Sequence, residues 1–281
     1  MGDQKPKKEL KKFNDQIDWQ KISVETYQNA QYEGLRPISH RYLPKCHLRV
    51  KRYLKSAEKY LLDAGSNPIQ YPEYLTYSKE YQYRVCLDIS IIALKEVRER
   101  VRSNHCLFVV ADLANLPFKD ETFDEIVSLY TLLHLTISDY VPAYENLKHV
   151  LKENRTDVIV MGWSESMLMR WLNKPIHIMK KSFPTLPPSS KQVKKDTGDI
   201  SNKPKGMSVD KYNVHGLLGL LGTNFPISMN LCRSVSVHFL PAMILQFLFD
   251  RIWLSILFRF EELFPTLFNE KGHYPLITIT K

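Results

Sequence analysis

The sequence predicts an α/β protein with a mostly parallel sheet and helices on both faces. From Tyr60 onward, short β-rich runs alternate with amphipathic segments of helical length, and each of the first three runs ends beside an aspartate. These runs are nearly continuous in apolar residues, as strands buried on both faces require. With 281 residues and 44% hydrophobic content, the chain can bury a sizeable core.

After a lysine-rich start, helices are expected around Trp19 to Ala30 and His47 to Ala57. "KYLLDA", "YRVCLDIS", "CLFVVAD", "FDEIVSLY" and "DVIVMGW" read as strands, with "IIALKEVRERVR" and "YVPAYENLKHVLK" as helices between them. Beyond Trp163 the alternation stops. Ser164 to Lys181 reads as helical, and a Pro/Ser/Lys-rich loop follows. "VDKYNVHGLLGLLG" restarts a helix, "RSVSVHFL" reads as a strand, and an apolar helix leads to a last strand, "YPLITITK". This divides the chain into a basic, helical N-terminal cap (1–58), a core (59–163), an insert or lid (164–210) and a C-terminal part of the core (211–281).

The net charge of +9 brings anionic partners into consideration, but the excess lysines cluster at the start and between Lys180 and Lys205, as solvated tails and loops do. Four dispersed cysteines form no metal-ligand pattern, so no metal is expected. Together with a polar start that lacks a secretory signal, they point to the cytoplasm. The apolar stretch from Phe239 to Phe260 is broken by Asp250, Arg251 and Arg259, too short of the roughly 20 residues that span a bilayer. It is a core helix, a pocket wall or a helix resting on a membrane surface.

Asp63, Asp88 and Asp112 end three successive strands, and the carboxyl ends of parallel strands are where open α/β sheets bind ligands. Asp88 stands about one βα unit beyond Gly65, the spacing at which a carboxylate meets a ribose diol. Asp88 as a helix cap and Asp112 as a turn former are the plainer alternatives.

Together "LLDAGSNP", "VCLDIS", "ADLANLPFKDETFDEIVSLYTLLHL" and "ENLKHVLK" resemble a class I S-adenosylmethionine-dependent methyltransferase of the type 11-like kind. The resemblance implies a Rossmann-like seven-stranded sheet with a reversed last strand, and S-adenosylmethionine as cofactor. It implies cofactor contacts from Asp63, Gly65, Ser66, Asn67, Asp88, Ile89, Asp112, Leu113 and Leu129. The family usually has glycine where Asn67 stands and often another just beyond Pro68. The expected compensation is Asn67 as N-cap and Pro68 as first helical residue, so that a helix N-terminus still faces the cofactor carboxylate. His134, at the end of the fourth strand, is the candidate general base, with Tyr130 on the same helix face.

Met161, Trp163, Met167, Met169 and Trp171 are candidates for an apolar acceptor wall, with core packing as the commoner fate of such residues. The leading reading is methyl transfer to a small-molecule or lipid-like acceptor, with peripheral membrane contact open. RNA methylation, a non-catalytic scaffold with an inherited methyltransferase fold, and an NAD-dependent enzyme compete with it. The absence of GxGxxG counts against the last.

Overall fold

The computed structural model describes residues 21–23, 26–27, 42–55, 57–101, 105–135, 137–162, 166, 168, 226–235, 250–269 and 271–281. Its centre is a seven-stranded sheet of β3 (Tyr60–Ala64), β4 (Tyr83–Asp88), β5 (Cys106–Val110), β6 (Glu125–Leu129), β7 (Thr156–Val160), β8 (Ile227–Arg233) and β9 (Tyr274–Thr280). The spatial order is β5-β4-β3-β6-β7-β9-β8. The first five strands run parallel, while β9 is antiparallel to both β7 and β8. A separate two-stranded ribbon, β1 (Lys21–Ser23) with β2 (Thr26–Tyr27), precedes them.

The central strands have apolar residues on both faces, and the alternation of side chains sorts these into two layers. Leu62, Ala64, Val85, Ile126 and Ile159 pack under α4 (Ile137–Val150) through Tyr140, Ala143, Tyr144 and Leu147. Leu61, Cys86, Val127 and Val158 face Leu94 and Val97 of α3 (Ile91–Val101), along with Tyr74 and Tyr77. Ser90 begins α3, its hydroxyl accepting from the Ala93 amide at 3.2 Å.

Three expectations need correction. The sixth strand is "ISMNLCR" and ends at Arg233, where the predicted strand was to begin; within that stretch only residues 233–235 are described, and the chain leaves the sheet after Arg233. Residues 21–23 and 26–27 pair as strands, not as a helix, because "KISVETY" carries β-branched residues and an apolar–polar alternation. Instead of one helix from His47, α1 (Tyr42–His47) continues as a 3-10 turn over Leu48–Tyr53. The expected lid apart from residues 166 and 168, and all of the expected acceptor wall except Met161, lie outside the described residues; Met161 itself is buried in the core.

The N-terminal segment is bolted by a buried polar cluster to helix α5 (Asp250–Leu263), which the short α6 (Pro265–Phe268) follows. Arg49 pairs with Glu261 at 2.9 Å and Glu262 at 2.8 Å, and donates to the Cys232 carbonyl at 2.8 Å. The Tyr42 hydroxyl donates to Glu261 at 2.6 Å, and burial pushes that phenol well up. With so many partners, the carboxylate of Glu261 meets the condition under which a buried charge is tolerated.

Asp157 is the exception. It is fully buried in β7, its Oδ1 has no hydrogen-bond partner, and burial pushes its carboxyl up to about 8. The folded state therefore holds a proton that the unfolded chain releases, and stability falls as pH rises from about 4 towards 8. Asp157→Asn should match the parent in urea denaturation near pH 4 and exceed it by about 2 kcal/mol or more near pH 8. Parallel pH profiles would contradict this.

Candidate active site

The chain leaves β3 at Ala64 and turns back over the end of β4. The Gly65 and Ser66 amides donate to the Leu87 carbonyl at 2.8 and 2.9 Å, and the Asn67 amide to Asp88 Oδ2 at 3.0 Å. Asp88 Oδ1 accepts from the Ser90 amide at 2.8 Å. Burial pushes the Asp88 carboxyl above the ordinary aspartate value, opposed by the amides of Ser90, Asn67 and Ile89. Gly65 is required here: its φ is +78°, and a Cβ would sit 2.1 Å from Thr131 Cγ2. Thr131 also donates to the Gly65 carbonyl at 2.9 Å, tying the loop to the segment after β6.

The loop keeps left-handed backbone at both positions where glycine would be usual: Asn67 has φ +45° and Ile69 +50°. Asparagine tolerates this conformation, whereas a β-branched residue there is strained by about 1–3 kcal/mol. Ile69 offsets that strain by burying its side chain with Tyr74, Leu61 and Val127. Asn67 is therefore not an N-cap. The following helix, α2 (Pro72–Leu75), starts later, with Tyr71 at the cap and Pro72 in its first turn, and it has only 4 residues. The expected helix N-terminus at the loop is absent.

A cavity of about 320 Å³ opens beside the loop, lined by Asp63, Gly65, Ser66, Asn67, Gln70, Tyr71, Tyr74, Leu129, Tyr130, Leu133 and Tyr274. Six of the residues singled out from the sequence thus meet at one wall: Asp63, Gly65, Ser66, Asn67, Leu129 and Tyr130. Asp88 adjoins them through Asn67, and the Ala111 amide bonds the Asp88 carbonyl at 3.2 Å, placing Asp112 one strand further along. Asp112 shapes its own turn, accepting from the Ala114 amide at 3.0 Å, and Leu113 is buried in the core. Ile89, half-buried, bridges Asp88 and Ser90.

Asp63 is not a free carboxylate. The Nε of Arg84 donates to Asp63 Oδ2 at 3.1 Å, its Nη2 donates to the same oxygen, and its Nη1 donates to the Tyr74 carbonyl at 2.7 Å. Burial alone would lower the Arg84 pKa, but the Asp63 charge outweighs it and holds the guanidinium protonated. The cavity floor is a neutral pair.

Tyr130 has φ +58°, donates its amide to the Val160 carbonyl at 2.6 Å, and meets Tyr274 edge to face at 5.6 Å. His134 ends a 3-10 turn, Leu132–His134, is exposed and does not line the cavity. The expected helix face shared by Tyr130 and His134 does not form, because Tyr130 precedes the turn in left-handed backbone. Gln70, Tyr71, Tyr74, Leu133, Tyr274 and Arg84 were missed. The tyrosine repetition in "QYPEYLTY" could have flagged Tyr71 and Tyr74, whereas Tyr274 arrives on the reversed strand with no local signal. Among the described residues no group of His, Cys, Asp or Glu is placed to hold a metal ion.

Residues 62–156 match the family described as Methyltransferase domain, and the strand order with its reversed β9 is that of the class I S-adenosylmethionine-dependent methyltransferase fold. S-adenosylmethionine is the cofactor that such a domain takes. A geranyl diphosphate C-methyltransferase from Streptomyces coelicolor A3(2), solved with Mg2+, geranyl diphosphate and S-adenosyl-L-homocysteine, shares the fold at TM-score 0.54 and 9% identity; the alignment covers 98% of this chain and 96% of that one. A SAM-dependent methyltransferase from Thermotoga maritima does so at 0.51 and 15%, covering 90% and 96%. An uncharacterized protein from Methanocaldococcus jannaschii is 24% identical over 134 residues, 48% of this chain. The chain spans about half the length of that curated relative, 54%.

Asp63→Ala would strand the Arg84 guanidinium in the core. Urea denaturation should show a loss of about 3–5 kcal/mol, and a loss under 1 kcal/mol would mean that the pair is not buried as described.

Proposed function

We propose that this chain is an enzyme that transfers the methyl group of S-adenosylmethionine to a small, lipid-like acceptor. The observation that carries the proposal is the cavity between the glycine loop and the end of β6, walled by four tyrosines and two leucines around a neutralised acid. Apolar and aromatic walls with few charges suit an uncharged or amphiphilic molecule better than a polynucleotide.

The residues present fit the cofactor. Ser66 Oγ is buried in the cavity wall without a hydrogen-bond partner, so its hydroxyl is available to a polar ligand group after a χ1 rotation. The Asp88 carboxylate accepts the amides of Asn67, Ser90 and Ile89, and its remaining lone pair can receive a ribose hydroxyl. We assign Asp63, Gly65, Ser66, Asn67 and Leu129 to the amino-acid side of the cofactor, Asp88 and Ile89 to its ribose, and Asp112 and Leu113 to its adenine. Bound there, the cofactor supplies an electrophilic methyl on a good leaving group.

The work left to the protein is alignment and, for a protonated nucleophile, removal of one proton. Tyr130, at the cavity wall, is placed to orient the acceptor, whereas the exposure of His134 weighs against it as the base. Segments 1–58 and 164–210 are the regions we assign to acceptor choice.

One observation favours a non-catalytic scaffold instead. The Gly65, Ser66 and Asn67 amides are all used within the chain, and Pro68 has none to offer.

Incubation with methyl-radiolabelled S-adenosylmethionine and separate pools of prenyl or acyl lipids, soluble amines and phenols, and transfer RNA tests the proposal. Label should enter the organic-soluble lipid fraction and fall about tenfold or more with Tyr130→Ala. Label confined to RNA, or to none of the pools, would overturn it.

A further inference from the structure

The C-terminal end of α5 and the short α6 carry an apolar surface that the fold does not use. Ile256, Phe260, Leu263, Phe264 and Leu267 are 37%, 52%, 72%, 49% and 52% exposed. Ile256, Phe260 and Leu263 lie on the side of α5 away from Leu254, Leu257 and Phe258, which pack against Tyr42, Leu43 and Cys46, and Phe264, 5.7 Å from Phe260, carries the row on towards Leu267 of α6. The helix is thus apolar towards the core and apolar again towards solvent, which an ordinary surface helix avoids.

Among the described side chains of α5 and just beyond α6, the charges that are exposed and not paired within the fold are basic. Glu261 is buried against Arg49, and Glu262 is taken by Arg49 and Arg52. Arg259, on the outward face of α5, is exposed, and Lys271 is exposed just beyond α6. In sequence the stripe continues the apolar run from Phe239, and the whole chain carries +9.

We infer that the stripe formed by Ile256, Phe260, Leu263, Phe264 and Leu267 is a docking surface for an anionic lipid bilayer, with its basic rim on the headgroups and its aromatic and aliphatic side chains in the interface. Apolar insertion joined to basic attraction is the usual recipe for reversible interfacial binding. A second copy fits less well, because a two-fold contact would set Arg259 and its basic neighbours against their own images.

The stripe also lies close to the cavity along the chain. The Phe268 carbonyl of α6 accepts from the Gly272 amide at 2.7 Å, the His273 amide donates to the Ser234 carbonyl at 2.9 Å, and the next residue, Tyr274, lines the cavity. A bilayer on this surface would sit beside the carboxyl edge of the sheet, where a lipid-like acceptor enters. That last step rests on the proposed function; the docking itself does not.

The test is co-sedimentation of the full chain with phosphatidylcholine vesicles, with and without phosphatidylserine, at low and high salt, and with the double variant Leu263→Asp/Leu267→Asp. Both leucines are exposed, so the variant should fold, and circular dichroism checks that it does. The expected result is partition onto phosphatidylserine-containing vesicles that salt weakens and that the double variant reduces by about a hundredfold. Absence of parent protein from the pellet, or a folded double variant that binds equally well, would overturn the inference. So would sedimentation equilibrium showing a parent dimer and a monomeric double variant with no vesicle binding by either.

Discussion

The site depends on how the backbone is held where it turns from β3 over the end of β4. Leu87 supplies one carbonyl and Asp88 one carboxylate, and between them they fix three consecutive amides, from Gly65 to Asn67. Thr131 closes the loop from the other side against a position where only glycine fits. Because the second strand, the glycine loop and the segment after β6 are joined at this one place, the positions of Ser66, Leu129 and Tyr130 around the cavity follow from it. The left-handed Asn67 and Ile69 show that this backbone path is kept although the glycines that would adopt it without strain are not.

Buried ion pairs support the path from below and from the side. Arg84 holds Asp63 and the carbonyl of Tyr74 together, so one guanidinium locks the cavity floor to its aromatic wall. Arg49 does the same between the N-terminal segment, β8 and α5. Such pairs add little net stability when weighed against apolar replacements, but their loss is costly and their geometry is specific. They define which segments sit next to the cavity, including the reversed β9 that brings Tyr274 to it.

Much of this was legible in the sequence, for identifiable reasons. β3, β4, β6 and β7 are central strands and show as nearly continuous apolar runs, and the three strand-ending aspartates mark the carboxyl edge. What failed was short-range or non-local. "ISMNLCR" is an edge strand only partly buried over its first four residues, so its apolar signal is weaker than that of the neighbouring "RSVSVHFL". Asn67-Pro68 has the residues of a helix start, yet the amide of Asn67 is claimed by Asp88, 21 positions away, and the helix is delayed to Pro72. Arg84 was unremarkable as one basic residue in a strand, since its significance lies in facing Asp63 across the sheet. His134 follows the expected strand, but the 3-10 turn points Leu133, not His134, towards the cavity.

The proposed function requires that the Asn-Pro loop, despite its strain and its occupied amides, form a cofactor cradle with Asp88. Isothermal titration of the purified chain with S-adenosylhomocysteine tests it directly, with Asp88→Ala as the comparison. The expected result is saturable one-to-one binding, weakened about tenfold or more in the folded variant as the hydrogen bonds to a charged group are lost. Absence of binding by well-folded parent protein, or equal affinity in the two, would contradict it and leave the fold as a scaffold.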